Sequence, residues 1–137
     1  MRNIKITIIT AVYNRVNEIE QCITSVINQT YDNVEYIVID GGSTDGTVDV
    51  IKKYNDKISY WCSEPDKGIY DAWNKGLSHA TGDYINFVGS DDAICSKDAI
   101  EKIVSYLDAS VDVVAGNVIR VNEKSGFEFL QNNTHIL

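Results

Sequence analysis

Asp91 and Asp92 stand side by side behind a short apolar run. Two adjacent carboxylates are hard oxygen donors, suited to a magnesium or manganese ion that also holds a diphosphate. The same pair is equally suited to opening the helix that follows it. A further carboxylate, Asp40, follows the apolar run Tyr36-Ile37-Val38-Ile39 and heads Asp40-Gly41-Gly42-Ser43-Thr44-Asp45-Gly46, a stretch of glycines and capping residues. There it can accept hydrogen bonds from a base or sugar edge, or cap the turn it begins. Asp45, just before Gly46-Thr47, reads better as a helix cap. Tyr13 can stack on an aromatic base and is as well suited to partial core. Trp73 reads as core, and neither His79, on the polar side of a helix, nor His135, in the tail, gains a metal or base role.

These residues need a frame to bring them together, and the hydrophobic pattern supplies one. Ile4 to Thr10 is a β-branched run of the kind buried on both faces of a parallel sheet. Ile19, Cys22, Ile23, Val26 and Ile27 then recur at helical spacing. The alternation repeats: strand Tyr36–Ile39 and helix Thr47–Tyr54 with Val50, Ile51 and Tyr54 inward, then strand Ile58–Trp61. Next come a helical stripe of Ile69, Ala72, Trp73, Gly76, Leu77 and Ala80, strand Tyr84–Val88, a helix over Ser96–Leu107, and strand Val111–Ala115. Ile119–Val121 and Phe127–Leu130 read as a hairpin. Strands alternating with helices predict an α/β domain, a Rossmann-like mostly parallel sheet flanked by helices with a short C-terminal hairpin, occupying residues 1–137 as one domain.

In such sheets ligands lie beyond the carboxyl ends of the strands. The tips to inspect are Thr10 to Asn14, Asp40 to Asp45, Ser63 to Gly68 and Gly89 to Asp92. None carries GxGxxG or a Walker loop, which disfavours a dinucleotide or P-loop site.

The 137 residues carry twelve basic and twenty acidic side chains, a net charge of −8. That balance repels nucleic-acid phosphates, and no basic run offsets it, so no nucleic-acid partner is expected. A phosphate ligand would be met by a bridging cation rather than by clustered arginines. The three cysteines, Cys22, Cys62 and Cys95, form no CxxC pair and read as buried free thiols in a reducing compartment. No signal-peptide stretch follows Met1, and no run approaches the roughly 18 apolar residues of a membrane span, so a cytoplasmic location is expected. Self-association and peripheral membrane association of a longer protein both stay open.

Taken together the motifs resemble family 2 glycosyltransferases, an inverting group with the GT-A fold. The matching stretches are Ile8-Ile9-Thr10-Ala11-Val12-Tyr13-Asn14-Arg15, Val38-Ile39-Asp40-Gly41-Gly42-Ser43-Thr44-Asp45-Gly46-Thr47 and Glu64-Pro65-Asp66-Lys67-Gly68-Ile69-Tyr70-Asp71-Ala72-Trp73-Asn74-Lys75-Gly76. Ala80-Thr81-Gly82-Asp83-Tyr84-Ile85 then leads into Phe87-Val88-Gly89-Ser90-Asp91-Asp92. The resemblance implies a nucleotide-sugar donor, usually of uridine, bound by Thr10, Ala11, Tyr13, Asn14, Asp40, Asp66, Lys67, Gly68 and Asp91. It also implies Mn²⁺ or Mg²⁺ held by Asp92 and Asp91, and a saccharide or lipid-linked acceptor in cell-surface polysaccharide synthesis; of the two aspartates, which the altered motif does not rank, Asp92 is expected as the direct ligand and Asp91 as the contact to the ribose or to the ion's outer partners.

Three departures from the family pattern stand out. Gly89-Ser90-Asp91-Asp92 replaces the frequent Asp-x-Asp. Ala72-Trp73-Asn74 replaces the frequent Ala-Arg-Asn, leaving Lys67 or Lys75 to meet the donor. Relatives continue well past the metal motif, into the region of the acceptor site and the general base that inversion requires. No such base is evident among Asp98, Glu101, Asp108, Asp112, Glu123 and Glu128. The chain therefore reads as the donor-binding part of a glycosyltransferase, apparently truncated, or as a nucleotide-sugar-binding module without the base.

Overall fold

The computed structural model describes residues 3–107, 110–112, 114, 118–121 and 128–131. They fall in two compact units, Met1–Glu101 and Lys102–Leu137. The first holds β1 (Ile6–Val12), α1 (Ile19–Ile27), β2 (Val34–Asp40), α2 (Thr47–Lys53), β3 (Tyr60–Ser63), α3 (Ile69–His79) and β4 (Tyr84–Phe87), and α4 (Ala99–Ser105) begins there. The second holds β5 (Val118–Val121) and β6 (Glu128–Gln131), an antiparallel pair in which Val118 faces Gln131.

The four strands of the first unit form one sheet in the order β3-β2-β1-β4, every pair parallel. This is the α/β architecture expected from the alternation of apolar runs. Ile6, Ile8, Ile9 and Val12 of β1 and Tyr36 to Ile39 of β2 are buried, because helices cover both faces of the two central strands. The register matches Val12 with Asp40 and Asp40 with Ser63. Three strand ends therefore lie side by side at one edge.

Differences from the sequence reading have local causes. β3 lies two residues later than expected: the Ile58 amide is taken by the Tyr54 carbonyl in the turn after α2, so the ladder with β2 starts at Tyr60. The strand expected over Val111–Ala115 is not found at its described residues, Val111, Asp112 and Val114; the other two lie outside the described residues. An apolar run that short carries no period separating strand from irregular chain.

In α3, Ala72 and Gly76 are buried while Ile69 and Leu77, expected inward, are 51% and 40% exposed. The helix seats on the sheet through its small residues: a Cβ on Gly76 would stand 2.7 Å from Ile9 Cγ2. That line of contact turns the larger apolar residues aside, and Trp73 meets Tyr70 and Phe87 instead. All three cysteines are free, but only Cys22 is buried; Cys62 is half-buried and Cys95 exposed.

Candidate functional site

The first two tips are stitched together. Gly41 N–H donates to the Val12 carbonyl at 2.9 Å, Asn14 N–H to Ser43 Oγ at 2.8 Å, and Thr44 N–H to Asn14 Oδ1 at 2.8 Å. Farther along, Arg15 N–H reaches Thr47 Oγ1 and Val16 N–H reaches Asp45 Oδ2. Asn14 makes its contacts from a left-handed backbone, φ 49°, which asparagine tolerates better than most residues. Asp45 is not the cap expected from sequence: Gly46 is the N-cap of α2, and Asp45, one residue ahead of it, accepts from both the amide and the hydroxyl of Thr47. Those bonds, the hydroxyl's foremost, hold its carboxyl below the ordinary range.

Asp40 is fully buried. Its Oδ2 accepts from the amides of Gly42 and Ser43 at 3.0 and 2.8 Å and from Ser63 Oγ at 2.7 Å, and its Oδ1 from Ser43 Oγ at 2.5 Å. The carboxylate is thus the internal anchor of the loop, a stronger structural role than the turn-capping weighed from sequence. Thr10 is likewise buried, its hydroxyl 2.9 Å from the Tyr36 hydroxyl in the core. Its side chain is spent there.

The third tip packs against the second. Glu64 N–H donates to the Asp40 carbonyl at 3.0 Å, and Asp66 takes the Gly68 amide on Oδ1 at 3.0 Å. The other Asp66 oxygen would stand 2.8 Å from a Cβ on Gly41, so the absence of a side chain there lets the carboxylate close on the loop. Lys67 and Gly68 are exposed. Lys75 is engaged by Glu64 at 3.0 Å. Tyr13 is 59% exposed and Ala11 half-buried.

At the fourth tip, Asp92 N–H closes a turn onto the Gly89 carbonyl at 3.0 Å. The two carboxylates bend back over Gly89: Asp92 Oδ2 and Asp91 Oδ1 would stand 2.7 and 3.2 Å from a Cβ placed there. Two like charges aimed at one point held open by a glycine fit a divalent cation. Burial, together with the neighbouring Asp91 charge, pushes the Asp92 carboxyl up. Among the described residues no group of three or more His, Cys, Asp or Glu side chains converges. An ion there would complete its coordination from a ligand or water.

Sequence reasoning had placed Asp40, Asp66, Asp91 and Asp92 on strand tips, and the structure confirms those positions. It missed Ser43, Ser63 and Gly41 as partners within the site; the Gly41-Gly42 pair was the visible sign of a close approach. No helix of the described residues is long and apolar enough to cross a membrane.

An open parallel α/β sheet with acidic tips at its carboxyl edge defines the class, and solved structures extend the comparison. The chain aligns with the mannosyltransferase PcManGT from Pyrobaculum calidifontis, solved in complex with GDP-Man and Mn²⁺, at a TM-score of 0.73 and 26% identity, covering 81% of this chain and 34% of that one. It aligns with S. aureus TarS in complex with UDP-GlcNAc at a TM-score of 0.67 and 27% identity, over 74% and 30%. These neighbours carry the GT-A type of fold.

The chain belongs to glycosyl transferase family 2, whose sequence model matches residues 7–136. It is 37% identical over 139 aligned residues to glycosyltransferase GlyA of Streptococcus pneumoniae, covering 97% of this chain and 19% of that protein. It is 40% identical over 105 residues to an uncharacterized glycosyltransferase of Haemophilus influenzae, covering 74% and 42%. In both cases it spans less than half of the relative.

Proposed function

We propose that this chain binds the donor in an inverting glycosyltransferase. The enzyme takes the sugar of a nucleoside diphosphate, a UDP-sugar, and passes it to a saccharide or lipid-linked acceptor of a cell-surface polysaccharide on the cytoplasmic side. The observation that carries the reading is the turning of Asp91 and Asp92 over Gly89, at the same sheet edge as the other three tips. A diphosphate entering a protein of net charge −8 needs its charge met, and a cation shared with these carboxylates meets it. Two solved neighbours hold a nucleotide sugar, one of them with Mn²⁺, which supports the donor class and the ion.

Within this reading each tip has its task. Asp92 and Asp91 hold Mn²⁺ or Mg²⁺, Asp92 directly. The ion, when bound, supplies charge neutralisation to the departing diphosphate. Tyr13 offers an exposed ring as a face for the base. Ala11, Asn14, Asp66, Lys67 and Gly68 stand on the same edge and complete the donor site. Asp40 acts by shaping the loop of Gly42 and Ser43, and Thr10 by tying β1 to the core.

A second reading, a binding module without the general base, is favoured by one observation. Glu101, one of the carboxylates available after Asp92, accepts from Thr30 Oγ1 at 2.8 Å, just ahead of β2 and so at the amino end of the sheet. Asp108 and Glu123 lie outside the described residues.

Thermal unfolding with UDP or GDP, in Mn²⁺ or in EDTA, tests the main reading, since a ligand that binds only the folded state raises its melting temperature. UDP with Mn²⁺ is expected to stabilise the chain, EDTA to abolish the effect, and Asp92→Asn to lose it. Stabilisation that survives EDTA and both Asp91→Asn and Asp92→Asn would refute the cation site. Assays of donor hydrolysis and sugar transfer by the same chain separate the enzyme from the binding module.

A further inference from the structure

Beneath the acidic turn three polar side chains meet in the core. Tyr36 of β2, Thr10 of β1 and Cys22 of α1 are 2%, 0% and 0% exposed. The Tyr36 and Thr10 hydroxyls lie 2.9 Å apart, and the Cys22 sulfur is 3.6 Å from Thr10 Oγ1 and 3.7 Å from Tyr36 Oη. The thiol donates to the Gly89 carbonyl at 3.3 Å. That carbonyl has no proton to give, so the direction of the row is set at its end. Three protons meet three acceptors: one hydroxyl donates to the other, the second to the sulfur, and the thiol to Gly89. The two hydroxyls can stand in either order with the same balance.

Polar groups in a core cost free energy unless satisfied, and an apolar trio of similar volume would carry no such cost. What this trio adds is a fixed end point. Gly89 also accepts the Asp92 amide at 3.0 Å, and both carboxylates close over it. The peptide that sets their direction is thus held by the turn on one side and by the buried thiol on the other.

We propose that Cys22 is a positioning residue for the cation-binding turn, with Thr10 and Tyr36 holding its thiol in the donating orientation toward Gly89. The proposal rests on the reading of Asp91 and Asp92 as cation ligands. It assigns to a core cysteine a part in ion affinity that burial alone would not give it.

The test is a Mn²⁺ titration of the whole chain in the presence of UDP, followed by loss of the paramagnetic resonance signal of free Mn²⁺, with urea unfolding run in parallel. Cys22→Ala is expected to weaken Mn²⁺ binding about threefold to tenfold in folded protein, the scale of one hydrogen bond. Tyr36→Phe, which leaves Thr10 able to donate to the sulfur, should weaken it less. A purely structural role would lower the urea midpoint of Cys22→Ala and leave Mn²⁺ affinity unchanged, and that result overturns the proposal. Should Cys22→Ala fail to fold, the double variant Thr10→Val/Tyr36→Phe carries the test: it removes both hydroxyls within reach of the sulfur, and unchanged affinity in it overturns the proposal equally. Wild-type protein without Mn²⁺ binding sensitive to Asp92→Asn would remove the cation reading and this inference together. Binding that Asp92→Asn loses and Cys22→Ala keeps removes this inference alone.

Discussion

Ser63 Oγ donates to Asp40 Oδ2 at 2.7 Å, across the one register position where β2 and β3 both end. The bond ties the second tip of the sheet to the third, and it comes from the residue opposite Asp40 rather than from any neighbour in sequence. With two amides and the Ser43 hydroxyl on the same carboxylate, Asp40 organises the loop that the proposed donor meets.

Asp40→Ala is therefore expected to cost stability. A loop-tip carboxylate is ordinarily cheap to remove, but this one is fully buried. Deleting the acceptor strands the Gly42 and Ser43 amides, a loss of about 2–4 kcal/mol for a buried charged hydrogen-bond centre. Urea unfolding measures it. A midpoint equal to wild type would mean that water replaces the carboxylate.

Asn14→Ala is expected to lose about 1–2 kcal/mol, from the Thr44 amide left without its acceptor and from alanine at φ 49°. Asn14→Gly isolates the first part, since glycine accepts the backbone. The difference between the two variants in denaturant unfolding reads the strain directly.

Gly82→Ala should destabilise by about 2 kcal/mol or more. A Cβ there would stand 2.7 Å from the Thr7 amide and 3.0 Å from the Lys5 carbonyl, backbone atoms of β1 and the segment entering it that cannot move aside cheaply. Thermal melting checks it, and an unchanged melting point would place the loop farther from β1.

Glu35 carries an acid-side pH dependence. Burial pushes its carboxyl up, but the amide and hydroxyl of Thr81, the Thr7 hydroxyl and Lys5 outweigh it and hold the group at about 2, against an ordinary 4.5. A carboxyl depressed in the folded state adds stability above the unfolded value and loses it as pH falls through the folded one. The window runs from about 4.5 down to about 2, and the shift corresponds to roughly 3 kcal/mol at neutral pH. Glu35→Gln should flatten the stability profile across that window. A profile as steep as wild type would assign the slope to other carboxylates.

The order of elements was legible in the chain itself. Helical spacing from Ile19 to Ile27 and β-branched runs such as Ile4–Thr10 and Tyr36–Ile39 are local periodicities, and their alternation leaves few topologies besides a parallel sheet. For the same reason the acidic residues could be assigned to strand tips before any contact was known.

What each side chain does at a tip was decided by tertiary structure. Thr10 and Tyr13 sit three residues apart on one tip, yet Thr10 is sealed in the core and Tyr13 stands in the open. Asp40 and Asp92 both follow or approach an apolar run, yet one is buried among donors and the other is exposed beside a like charge. Neither difference has a local cause. Asp40 is buried because the register sets it between Val12 and Ser63, and α3 turns Ile69 and Leu77 outward because Gly76 closes on Ile9. Such pairings join residues tens of positions apart, and their choice depends on packing the whole sheet at once, which no period along the chain records.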